Sequence, residues 1–229
     1  MAIRLETKNR SDSKSTISFN ICMRSGLIFL SHLVLIGIAS LIFVIDARCG
    51  QPNCFREEGF VETAQLVALA LGILFFLRDM LKSNPQRRLV ATIFSFMLLL
   101  AFIRETDGYT DKLVTHGFWK VPAMVVALVA ACFLWWQRRY IIPAFAALSQ
   151  RPAWGILTSG FLTVIVFSRL VGMRPNWISI LGDSDHVITI RRAAEEGIEL
   201  LGYTLLVCGA LSFMLDGLRE KTADSESDV

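Results

Sequence analysis

Histidine, tyrosine and proline are scarce in this chain: three, three and six among 229 residues. The histidines are His32, His116 and His186. None stands in a His-Glu-x-x-His pattern, which argues against a zincin-type protease. None follows a glutamate by three positions, so the Glu-x-x-His signature of carboxylate-bridged di-iron bundles is missing too. No Gly-x-Ser-x-Gly elbow surrounds Ser168, and no histidine or lysine can be assigned to activate that hydroxyl. The glycines form neither a phosphate loop nor a dinucleotide fingerprint. Charge is also sparse. Charged residues make up 19% of the chain, below the roughly 25% of a soluble domain.

Apolar residues fill the space that these absences leave. They amount to 54% of the chain, with a mean hydropathy of +0.53, and they come in blocks. A bilayer-spanning helix needs about 20 mostly apolar residues. Blocks at 26–45, 59–77, 89–103, 121–136, 154–172 and 196–215 meet that need, the third and fourth by borrowing flanking residues. The expected fold is all-α: a polytopic integral membrane protein with six transmembrane helices. The first block has the basic flank of a signal peptide, but its apolar core is too long and Ile45-Asp46-Ala47 gives no small-x-small cleavage site. It reads as a retained helix. The expected division is a tail at 1–25, a six-helix domain at 26–215 and a polar, disordered tail at 216–229.

Basic residues are unevenly shared between the two sets of loops. One side holds Arg4, Lys8, Arg10, Lys14 and Arg24, then Arg78, Lys82, Arg87 and Arg88, then Arg138, Arg139 and Arg151, and finally Arg219 and Lys221. The other side holds fewer: Arg48, Arg56, Arg104, Lys112, Lys120, Arg174, Arg191 and Arg192. The positive-inside rule then places both termini in the cytoplasm, an N-in/C-in arrangement. Trp135, Trp136 and Trp154 fall at the cytoplasmic boundary and Trp119 and Trp177 at the outer one, where indole rings are favoured. The cytoplasmic arginines read as topology signals and lipid-headgroup contacts, not as a nucleic-acid patch.

Acids crowd the other side. Asp46, Glu57, Glu58, Glu62, Glu105, Asp107, Asp111, Asp183, Asp185, Glu195, Glu196 and Glu199 all belong to the outer half. On a helix, residues three and four apart share a face. Arg192, Glu196, Glu199 and Tyr203 therefore form one stripe in the sixth block, and Glu58, Glu62 and Gln65 form another in the second. The stretches EEGFVETAQLVALALG and EEGIELLGYTLLVCGA even look alike, though two oily helices can match this well by accident. Arg104, Glu105 and Asp107 end the third block, His116 and Lys120 begin the fourth, and Arg169 lies inside the outer end of the fifth.

Charges at that depth are costly unless paired. Crowded carboxylates repel, and an arginine fork between them relieves this by bidentate pairing. Glu62, Glu199 and Arg169 read as the deepest groups and the centre of a site, with Glu58, Arg104, Glu105, Glu196 and Tyr203 around them. Glu57, Glu195, Asp183 and Asp185 read as solvated rim charges. Two structural alternatives stand beside this. Glu57, Glu58, Glu195 and Glu196 sit where acids favour the positive end of a helix, and the deep groups can form an ion-pair network that fixes helix register without chemistry.

EEGFVETAQ, FIRETD with THGFWK, VFSRLVG and RRAAEEGIELLGY together resemble an uncharacterised family of small bacterial six-span inner-membrane proteins. The resemblance runs from about Glu57 to Tyr203 and implies a place in the inner membrane but no substrate. The alkaline-ceramidase-like membrane hydrolases differ, because their pattern needs several histidines.

Three functions follow as expectations. The first is a periplasm-facing Glu/Arg pocket in the outer leaflet that binds a small ligand, an ion or a lipid headgroup. The second is a metal-dependent membrane enzyme acting on lipid, with a divalent metal held among Glu62, Glu196, Glu199 and His116. The third is a non-catalytic subunit or scaffold. Alternating access within one chain is disfavoured because the inner halves of the helices offer no polar path, and a homo-oligomer or partner subunit remains open as a way to complete one. His32 reads as a packed, bundle-facing histidine and Cys132 and Cys208 as packing residues.

Cys49 and Cys54 share the first outer loop at C-x4-C spacing. In an oxidising compartment they can close a disulfide, and two free thiols is the other reading. If the loop is periplasmic, denatured protein from membranes should take up two more maleimide groups after reduction than before, counted by mass. Equal uptake before and after shows free thiols.

Overall fold

The computed structural model describes residues 2–48, 59–182 and 184–227, with side chains described at 23, 25–48, 59–182, 184 and 186–219. It contains α1 (Ala2–Ala47), α2 (Phe60–Lys82), α3 (Pro85–Glu105), α4 (Asp107–Leu113), α5 (Lys120–Ser149), α6 (Pro152–Leu162), α7 (Ser168–Val171), α8 (Arg174–Leu181) and α9 (Asp185–Ser227). A π turn, Thr163–Phe167, joins α6 to α7. No strand occurs among the described residues. Six helical stretches are long and apolar enough to cross a membrane: Ser25–Ala47, Phe60–Lys82, Pro85–Glu105, Lys120–Ser149, Pro152–Val171 and His186–Arg219. These coincide with the six apolar blocks of the sequence. α1 and α9 continue as helix beyond them, into the polar segments at the two ends of the chain.

Local chemistry sets the breaks. α2 and α3 form a tight hairpin because Asn84 caps α3, its side chain accepting from the Arg87 amide at 3.0 Å, and Pro85 stands at the first helical position. Proline there costs nothing, since its missing N–H would have no helical partner. Pro152 opens α6 in the same way. Gly182, at φ +78°, ends α8 in a backbone conformation that favours glycine.

α9 is the centre of the bundle. In its most apolar window 67% of residues are buried, against 6% in α5 and none in α1. It packs on α1, α2, α6, α7 and α8. Apolar burial gives no driving force between helices already in lipid, so close contact must supply it. Against α6 it does so through glycine. A Cβ on Gly160 would lie 3.0 Å from the Gly202 carbonyl, and one on Gly209 would lie 2.6 Å from Leu157 Cγ. Farther along, Phe76 stacks on Phe94 at 5.3 Å and tilts against Phe213 at 5.7 Å, and Phe94 stacks on Phe161.

Arg87 corrects one expectation. It is buried and does not reach out to lipid headgroups, and its half of the bundle is not free of buried charge. Arg87 Nη2 pairs with Asp79 at 2.7 Å, with both side chains buried. The same nitrogen donates to the Phe213 carbonyl, and the guanidinium lies 4.1 Å from the centre of the Phe213 ring. Gly217 leaves room for it, since a Cβ there would meet Nη2 at 2.6 Å. One guanidinium thus clamps α2, α3 and α9. His32 faces the bundle as expected. Its Nε2 lies 3.1 Å from the Cys208 carbonyl and 3.0 Å from Ser212 Oγ.

Removing one partner of a buried pair strands the other charge, at a cost of about 3–5 kcal/mol. Asp79→Ala should therefore lower unfolding stability in detergent by that amount. The apolar pair Asp79→Leu/Arg87→Met should recover most of it. A loss below about 1 kcal/mol for Asp79→Ala would show that the pair is no clamp.

Candidate functional site

The ends of α1, α3 and α7 meet the starts of α2 and α9 at one end of the bundle, the acid end. Glu199 is at its centre. It is 3% exposed, and its Oε1 accepts from Arg169 Nη2 at 2.8 Å, Ser168 Oγ at 3.0 Å and Arg104 Nη2 at 3.3 Å. Those donors come from α7 and α3, so one carboxylate oxygen ties two helices to α9. Ser168 also points its hydroxyl at the Val164 carbonyl, 2.8 Å away, and shares its single proton between the two acceptors. The π turn immediately precedes Ser168 and Arg169, a placement such turns often take at functional sites.

The α9 stripe continues in both directions. One turn deeper, Tyr203 donates to Glu105 Oε1 at 2.6 Å, and Arg104 stands 3.7 Å from the same oxygen. One turn shallower, Glu196 Oε2 accepts from Gln65 Nε2 at 3.0 Å. Glu195 is not a solvated rim charge. It takes Arg191 at 2.8 Å and Arg169 at 3.6 Å, and its side chain is 19% exposed. On α1, the buried carboxylate of Asp46 accepts from the Val61 amide at 3.3 Å. It thereby satisfies one of the first amides of α2, where Gly59 supplies no side-chain cap.

These groups surround a cavity of about 190 Å³. Its walls carry seven carboxyl groups, Asp46, Glu62, Glu105, Asp107, Glu195, Glu196 and Glu199, against three guanidiniums, Arg104, Arg191 and Arg192. The space would hold about six waters at ~30 Å³ each and falls below the ~300 Å³ at which pockets for drug-sized ligands begin. It suits an ion or a compact polar group.

Of the residues singled out in the sequence, Glu62, Arg104, Glu105, Glu196 and Glu199 line this cavity. Arg169 and Tyr203 touch it through Glu199 and Glu105. Arg169 has 45% of its side chain exposed and reaches Glu199 from the flank of the bundle. His116 is elsewhere: its ring, almost fully exposed, pairs with Asp111 at 2.6 Å in the turn after α4. Among the described residues no three histidine, cysteine or acidic side chains converge in a way that could hold a metal ion. Cys49, Cys54, Glu57, Glu58, Asp183 and the Asp185 side chain lie outside the described residues. Three members of the network are hard to see in the sequence. Asp46 looks like the ordinary end of an apolar block, Ser168 draws notice only as a nucleophile without an activating base, and Gln65 shares a face with Glu62 but carries no charge.

Compared with family models, with curated proteins and with solved structures, the chain matches none.

Glu199 is buried and engaged by three donors, whereas Arg104 and Arg169 are more than a third exposed. Hydrogen bonds to charged groups are worth ~1.5–3 kcal/mol, and exposed partners are discounted by solvent. Glu199→Gln should thus cost more stability in detergent than Arg104→Gln or Arg169→Gln, by about 1–2 kcal/mol. Equal losses in the three variants would remove Glu199 from the centre of the network.

Proposed function

We propose that the chain is a multi-pass protein of a bacterial inner membrane, with both termini cytoplasmic, whose acid-end cavity opens toward the periplasm and binds a small cationic group. The observation that carries this reading is the imbalance of the cavity walls, seven carboxyl groups against three guanidiniums within about 190 Å³. Two unit charges 4 Å apart interact by about 4 kcal/mol at an effective dielectric of 20. A surplus of acids in so small a volume is relieved by a positive guest. The distribution of Lys and Arg among the loops supports the orientation.

Two roles divide the site. Glu199, Glu105 and Tyr203 are committed to other side chains and hold the helices in register. A guest would meet Glu62, Glu196 and Asp107 on the cavity walls, with Glu196 keeping its bond from Gln65. Binding from one side fits better than passage through the chain. Leu69, Phe76, Leu206 and Phe213 are buried in one continuous core between this cavity and Arg87.

The reading is tested by melting purified protein against ethanolamine, magnesium, sulfate and the neutral ethylene glycol. Anything that binds only the folded form raises stability, by about 2.7 kcal/mol at a hundred times Kd. A positively charged probe should raise Tm saturably while sulfate and glycol do not, and Glu62→Gln/Glu196→Gln should erase the shift. No shift with either cation, or the same shift in the variant, would overturn it. Reporter fusions at the two termini check the orientation: both must read cytoplasmic.

A further inference from the structure

The acid-end cavity has an apolar extension. Two hollows lie between α1 and α2 with α9 as their floor, of about 400 Å³ and about 330 Å³, and both are bounded by Leu35, Leu71 and Val207. They form one groove. Along α1 it runs from Leu27 to Ile42, about 22 Å at 1.5 Å per residue. One leaflet of hydrocarbon is about 15 Å deep, half of the ~30 Å core. The groove is long enough for one acyl chain.

The groove and the cavity share their helix faces. On α1, Ile42 lines the groove and Asp46, four residues on, lines the cavity. On α9, Leu200 lines the groove and Glu196, four residues back, lines the cavity. Residues four apart lie one above the other, so a single trough changes from apolar to acidic in its last helical turn. At that change, on α2, Gln65 is fully buried. Its Nε2 donates to Glu196, a cavity wall, and its Oε1 is buried without a hydrogen-bond partner.

Resting on the cation-binding reading of the cavity, we infer that the trough holds a membrane lipid whose head carries a phosphate and a terminal primary ammonium. One acyl chain lies between α1 and α2. The ammonium meets Glu62 and Glu196, and the phosphate meets the guanidiniums of the same cavity, Arg191 and Arg192. A head with phosphate alone would add a negative charge to walls where seven carboxyl groups already outnumber three guanidiniums. The match is one of charge order along the trough: apolar, then mixed, with acids in excess.

The test uses the full chain reconstituted in bilayers of equal parts phosphatidylethanolamine and phosphatidylglycerol. It is then released into mild detergent, and bound lipid is counted by native mass spectrometry. Phosphatidylethanolamine should be retained over phosphatidylglycerol by about tenfold, a preference that corresponds to ~1.4 kcal/mol. Leu71→Trp, which fills the groove, should cut that retention about tenfold while leaving the Tm shift with free ethanolamine intact. Ile38→Trp, on the opposite wall, is the second variant should the first not fold. Equal retention of the two lipids, or retention that neither tryptophan alters, overturns the inference. If the ethanolamine shift persists in that case, the cavity reading stands without it. If neither ethanolamine nor phosphatidylethanolamine binds, both fall.

Discussion

Everything at the acid end depends on the burial of one carboxylate. Glu199 lies on the most enclosed helix of the bundle, where an unpaired charge is not tolerated. Its three donors come from α7 and the end of α3. That demand fixes the rotation of α9, because Tyr203 and Glu196 on the same stripe must then meet Glu105 and Gln65. Once α9 is set, its Gly202 and Gly209 come against Gly160 and Leu157 of α6. Polar demand and small-residue packing therefore agree on one arrangement. Agreement across levels is what lets a sequence specify a single structure.

The bundle has a second polar fastening at the other end, built differently. The acid end uses many groups around a space. The Arg87 end gathers a carboxylate, a carbonyl and an aromatic ring around a single guanidinium. The two ends differ in form: at one a guanidinium holds three helices, at the other polar side chains line a cavity. Between them the core is apolar, with Phe76, Phe94 and Phe213 among its buried side chains.

The helices are plain in the sequence because apolar blocks of spanning length rarely fold as anything but membrane helices. The α9 stripe is plain for a related reason, since helical periodicity puts Arg192, Glu196, Glu199 and Tyr203 on one face whatever they touch. Partnership is not. Arg87, in a short basic loop, has the same local signature as Arg88, and only the meeting of α2, α3 and α9 makes one buried. Arg169 looks deep because it follows an apolar run, but depth along a helix axis says nothing about which side faces lipid or bundle. Asp46 and Gln65 stand at the polar ends of apolar stretches, and nothing local names their partners. The contact of Gln65 comes from a helix more than a hundred residues away, and that of Asp46 from the next helix.

The π turn between α6 and α7 bears on how this chain can change in length. A π turn takes up one residue more than an α turn over nearly the same rise, so the residues on either side keep the faces an unbroken helix would give them. Ser168 and Arg169 thus look at Glu199 across a local surplus of one residue. Loss of a residue within 163–167 can be absorbed by relaxation to an ordinary turn. The same loss elsewhere between Pro152 and Thr163 would rotate everything after it by about 100° and swing both donors away from their carboxylate. Tolerance to deletion along this helix is therefore concentrated in five positions next to the site, the reverse of the usual rule that a segment grows less forgiving as it nears the working groups.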